Sequence, residues 1–307
     1  MTALTVLLAL LAALSNAGAS VLQRRAAVQE PDQGDGAGSV VRRFAHLLRR
    51  PYWLAGAGLL GLSSLLQAGA LAVGSLSLVQ PLLAAELLFT LAVGSVVFRR
   101  RPEARTWLAF VALAGGLALF LLAAAPSPGR ATARPGDWLL GGGGALGVVV
   151  LLVVVARPTR GASRAALLGL ASAVSFAATA ALLKEAVGRL GQGPAEMFGH
   201  WSLYATGAAG LVAFLLLQGA LGAGSLTASQ PALTLGDALT SVVLGWLLFG
   251  ESIHVGLSLL PEAIGVALIG AGSIGLVHAP SVGGEWDATD PEESPGSTAA
   301  LPRTPRR

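Results

Sequence analysis

The chain of 307 residues has no cysteine, a single lysine and few charges of either sign. Without cysteine it can form no disulfide, no thiolate metal site and no cysteine nucleophile. With Lys184 as its only lysine it has no Gly-rich phosphate loop ending in Lys-Ser/Thr, and it contains no His-Glu-x-x-His zinc motif. The four histidines, 46, 200, 254 and 278, are far apart and fall in loops or at span ends. No enzyme chemistry and no cofactor are therefore expected. Charged residues make up only 12% of the chain, where an ordinary soluble domain carries roughly 25% to face water. So little polar surface excludes a soluble particle.

Apolar residues, by contrast, make up 54%, and the mean hydropathy is +0.70. A helix needs about 20 mostly apolar residues to cross the hydrocarbon core. Nine segments meet that requirement: 2–22, 52–73, 76–98, 106–125, 138–156, 165–183, 200–220, 227–249 and 257–278. The expected fold is an all-α integral membrane protein of about nine transmembrane helices. The first run ends in NAGAS, which resembles a secretory cleavage site, but no basic residue precedes it and Arg24 and Arg25 follow. It reads as a retained span. Residues 23–50 read as a flexible loop and 280–307, rich in Pro, Gly, Ser and acids, as a disordered tail.

The net charge of +4 does not indicate nucleic acid, because the basic residues form short clusters between spans rather than a face. With the N-terminus outside, sixteen of the twenty lie on the inner side and four on the outer. That positive-inside bias predicts an extracytoplasmic N-terminus and a cytoplasmic C-terminus in the plasma membrane. Tyr52, Trp53, Trp107, Trp138 and Trp201 stand at span ends, as an interfacial aromatic belt requires. Arginine in place of lysine, with abundant alanine and glycine, points to a GC-rich bacterial genome.

The chain repeats itself. Residues 69–81 (GALAVGSLSLVQP) match 219–231 (GALGAGSLTASQP) at eight of 13 positions, an offset of 150. Residues 15–24 and 175–184 align at an offset of 160, each with small and hydroxyl residues and a terminal cation. Spans one to four thus correspond to six to nine, with the fifth as linker. Five spans separate equivalents, so the halves are inverted in the membrane, an arrangement that puts a solute site near the midplane. The expected divisions are 1–125, the linking span 126–156, the inverted half 157–279, and the tail from 280.

Ionisable groups inside a span are costly and are functional candidates for that reason. Glu86 and Asp237 each lie at the eleventh residue of a 23-residue span and follow Pro81 and Pro231 by five and six residues. They read as a cation or proton-coupling site. Gln80 and Gln230 precede prolines that loosen their turns, so they are candidate solute ligands with Pro81 and Pro231 as kinks. Gln67 and Gln218 are weaker candidates. Polar stripes with Asn16 on the first span and Ser175 on the sixth are candidate pathway residues, although hydroxyls also serve close packing. Arg24 and Lys184 are expected to snorkel to headgroups, and Glu262 to be interfacial.

These features resemble the drug/metabolite transporter superfamily. They are SNAGASVLQRRA in the first span, SLSLVQPLLAAELLF in the third, SFAATAALLKEA in the sixth and SLTASQPALTLGDALTSVVLGWLLFGE in the eighth with its exit loop. The nine-span plan is similar to NIPA-type magnesium transporters rather than to the ten-span EamA-like exporters. The resemblance implies a transporter working by alternating access, with a small solute or, as the alternative, Mg²⁺ as substrate. The ligands of such a metal are not assigned. A membrane protein with a purely structural role is the alternative of another class. Expected partners are membrane lipid, the solute or ion, and a second copy of the chain in a homodimer; nucleic acid is not one.

Overall fold

The computed structural model describes residues 2–28, 51–97, 103–124, 129–223, 226–252 and 259–278. Most of the loop 23–50, Arg99 to Arg101, and the tail lie outside the described residues. The described residues hold no β-strand. The helices are α1 (Thr2–Val28), α2 (Pro51–Val73), α3 (Leu76–Leu83), α4 (Glu86–Val97), α5 (Ala104–Ala124) and α6 (Pro135–Ala156). There follow α7 (Gly161–Gly188), a 3₁₀ turn (Arg189–Gln192), α8 (Pro194–Gly199), α9 (Trp201–Ala223), α10 (Leu226–Phe249) and α11 (Leu259–Val277).

Among the described residues, eight stretches are long and apolar enough to cross a membrane, with α3 and α4 together making one of them. The ninth segment expected from sequence is α11, whose apolar stretch Leu260–Leu276 is shorter. Glu262 stands in its first turn. The outer helices carry large apolar side chains that no protein covers, among them Leu139 at 81% exposure and Leu140 at 75% on α6, and Leu65 at 73% on α2. Apolar surface on that scale is stable in lipid and not in water. The chain is a multi-pass helical membrane protein.

Small residues set the packing. Helices α5 and α11 touch backbone to backbone: a Cβ on Gly116 would lie 2.7 Å from the Ile269 nitrogen, and one on Gly265 2.8 Å from the Phe120 nitrogen. Small residues at such crossings let helices approach closely where no hydrophobic effect drives them together. Helix α1 packs on α2, α7 on α9, and α10 on α7, α3 and α6. One buried cluster, with Leu71, Leu76, Val79, Ala177, Ala181, Leu248 and Phe249, ties α2 and α3 to α7 and α10. A second, with Ala13, Leu88, Leu91, Leu113, Leu117 and Ile269, joins α1, α4, α5 and α11.

Candidate functional site

The third span is interrupted by a turn at Ala84 and Ala85, and beside it two of the candidate residues, Asn16 and Glu86, meet. Pro81 has no N–H for the carbonyl four residues earlier, which weakens the end of α3. The chain tightens there into i+3 bonds, Ala84 N–H to the Pro81 carbonyl (3.1 Å) and Ala85 N–H to the Leu82 carbonyl (3.0 Å). Helix α4 restarts at Glu86. A carboxylate in the first turn of a half-helix sits at the positive end of its dipole, while the Leu87 and Phe89 N–H groups there bond back to the Ala84 and Ala85 carbonyls.

The Glu86 carboxylate also reaches a neighbouring helix, accepting a 2.6 Å hydrogen bond from Asn16 Nδ2 of α1. Ala13, Ala85, Leu87 and Leu88 around it are buried. One neutral amide does not compensate a full negative charge in apolar surroundings; a proton or a bound cation does. Asn16 and Glu86, singled out separately in the sequence, therefore form one unit. Gln80 is buried on α3 directly before Pro81. Pro81 lines a narrow, wholly apolar crevice with Phe120, Leu235, Leu239, Val266 and Ile269.

Asp237 occupies a different setting. Helix α10 runs unbroken from Leu226 to Phe249. Asp237 Oδ1 is enclosed and has no hydrogen-bond partner among the described residues. No hydrogen bond joins it to Glu86 or Asn16 among the described residues, and no group of three or more metal-ligating side chains occurs among them. Ser175 bonds the Ala171 carbonyl of its own helix (2.9 Å), a packing arrangement. Gln230 and Pro231 lie on α10, and their side chains, like that of Arg24, fall outside the described residues.

Lys184 corrects the sequence reading. It does not snorkel: it is 3% exposed and pairs with Glu251 at 2.9 Å. Glu251 is itself fully buried. Its carboxylate accepts the N–H groups of Leu76 (2.6 Å) and Ser77 (2.9 Å) and the Ser77 hydroxyl (2.6 Å). Lys184 Nζ also donates to the Gly74 carbonyl (2.6 Å) and lies 5.0 Å from the centre of the Phe249 ring. Glu251 thus caps α3 from the far end of α10. Gly250, at φ 63°, provides the left-handed turn that sends it there.

The segment before α6 covers the same end of the protein. Arg130 pairs with Asp137 (2.7 Å) and donates to the Leu248 carbonyl (3.0 Å), placing a cation on the C-terminus of α10. Glu185 pairs with Arg189 (2.8 Å) and accepts the Ala133 N–H (2.6 Å). The sequence analysis missed Glu251. The available signal was a lone lysine in an arginine-rich chain and a lone acid following the Gly250 helix stop.

No family model matches the chain, and no solved structure matches it. It is similar to an uncharacterized protein of Corynebacterium glutamicum, with 31% identity over 258 residues that cover 82% of this chain and 86% of the relative.

Proposed function

The chain belongs to the same family as that Corynebacterium glutamicum protein, and we propose that it is a plasma-membrane transport protein of the drug/metabolite transporter type, moving a small solute by alternating access. The observation that carries this is the break in the third span, with Glu86 at the start of α4 bonded to Asn16 of α1. Interrupted helices inside a membrane recur where they line a cavity or bind a solute, and this one places a buried acid directly after its turn. A packing role requires neither the break nor the acid. Glu86 would carry a coupling proton or cation, and Asn16 would hold its carboxylate toward α1.

The inverted repeat that alternating access needs is supported by a pair of hydrogen bonds. Ser63 donates its hydroxyl to the Ala12 carbonyl (2.9 Å), and Ser172 donates to the Ala213 carbonyl (2.8 Å). Under the sequence offsets of 160 and 150, Ala12 corresponds to Ser172 and Ser63 to Ala213. The same helix contact is thus made in both halves with donor and acceptor exchanged. The pairings of α1 with α2 and of α7 with α9 agree with this.

The test has two stages. A thermal-shift screen of the purified protein against metabolites, drugs and divalent cations identifies a ligand, since binding to the folded state alone raises the melting temperature. Uptake of that ligand into proteoliposomes is then compared between the parent and Glu86→Gln, which preserves shape and removes the titratable charge. The expected result is a folded protein with transport abolished or no longer dependent on pH. Parental rate and pH profile in Glu86→Gln would assign the residue to packing.

A further inference from the structure

We infer that Glu251 and Lys184 form a latch that seals one end of the transport pathway and opens when the two halves part; this rests on the alternating-access reading above. The hydrogen bonds made by the pair cross the boundary between the repeats. Glu251 follows α10 and Lys184 belongs to α7, both in the second half, while every backbone group they hold (Leu76 N–H, Ser77 N–H, the Gly74 carbonyl) belongs to the turn that begins α3 in the first half. Moving α3 away from α7 and α10 at this end must break all of these bonds.

The chemistry suits a contact that opens as well as closes. An apolar seal exposes apolar surface to water each time it parts. A buried ion pair is close to break-even, because the desolvation of two charges offsets most of their attraction. When water enters, both ions recover their hydration, so the closed and open states differ little in free energy. Room for the latch is built into α10: a Cβ on Gly245 would lie 2.6 Å from the Ser77 hydroxyl and overlap the Glu251 carboxylate.

The repeat makes the latch one-sided. At the offsets of 150 and 160, Glu251 corresponds to Arg101 and Lys184 to Arg24. Where this end has an acid and a base, the equivalent sequence positions of the other half are both basic and supply no such pair.

Because the chain has no cysteine, single-thiol labelling tests this directly. Ser75, 2% exposed beneath the latch, and Thr90, 6% exposed in α4 on the same span, are each replaced by cysteine. The purified protein is then treated with N-ethylmaleimide in detergent. Ser75→Cys alone should label slowly. Adding Glu251→Gln or Lys184→Met should accelerate it about a hundredfold, the effect of breaking a buried pair, and should slow labelling of Thr90→Cys. An unchanged Ser75→Cys rate in either folded variant overturns the latch. Should both variants fail to fold, Ser77→Ala decides, because it removes one donor and leaves the ion pair. An acceleration of about tenfold, as expected for a hydrogen bond to a charged group, supports the latch, and no change overturns it. Faster labelling at Ser75→Cys with Thr90→Cys unaffected keeps the latch and refutes coupling of the two ends, and with it alternating access.

Discussion

Two adjacent glycines on α5 offer a controlled test of the membrane packing. Gly116 is buried against α11, and a Cβ there would meet the Ile269 nitrogen at 2.7 Å, the Gly265 oxygen at 2.8 Å and Leu268 Cβ at 2.8 Å. Two of these are backbone atoms and cannot rotate away. Gly115, one residue earlier, is exposed and has nothing within 4 Å of its Cβ position. Gly116→Ala forces the helices apart, which costs about 1–3 kcal/mol as overpacking does in a filled core. Gly115→Ala meets nothing and gains helix propensity, up to about 1 kcal/mol. The two variants have identical composition and the same propensity gain, so their stabilities should differ by about 1–3 kcal/mol, the overpacking cost alone. Unfolding in mixed micelles by titration with a denaturing detergent, followed by circular dichroism, measures the difference. Equal midpoints for the two variants would refute the close crossing of α5 and α11.

Orientation and pH response are testable separately. An alkaline-phosphatase-type reporter fused at Arg307 should be inactive and one in the loop 126–135 active, following the excess of basic residues on the side of the C-terminus; the reverse pattern would overturn the topology. His200, between α8 and α9, accepts the Ser202 N–H at Nδ1 (3.3 Å), and burial, then the Arg189 charge, hold its pKa below the ordinary 6.5. The folded state thus favours the neutral ring. Its contribution to stability is complete above pH 6.5 and is lost as pH falls through that value toward the folded pKa. His200→Gln should flatten the melting temperature against pH over that interval, and an unchanged slope would show that the ring titrates freely.

Much of this protein was legible in its sequence because lipid imposes simple rules. Long apolar runs separated by arginine clusters gave the helices, and Trp138 and Trp201 mark the ends of α6 and α9, with their rings stacked edge-on at 5.4 Å. What the sequence could not show was which of two equal motifs would break its helix. Gln80-Pro81 and Gln230-Pro231 match, yet the chain breaks after Pro81 and continues through Pro231. The difference lies beyond the motif. Position 86 is a glutamate that reaches Asn16, whereas its equivalent, Gly236, is packed against Leu170 and Ala173 of α7. The break coincides with a tertiary bond, and local sequence contains no tertiary bonds. The Lys184–Glu251 pair was hidden for the same reason: its members are 67 residues apart, and each alone looks like a charge at a span end.

Gly245 and Glu251 also constrain how the chain can change through descent. The empty space at position 245 is where the carboxylate of position 251 sits. A side chain acquired at 245 while Glu251 remains would displace a buried ion from its partners and strand Lys184. A shorter residue acquired first at 251 would free that space for a later change. Loss of the glutamate alone would equally leave Lys184 buried without its partner, so positions 184, 245 and 251 are constrained to change together.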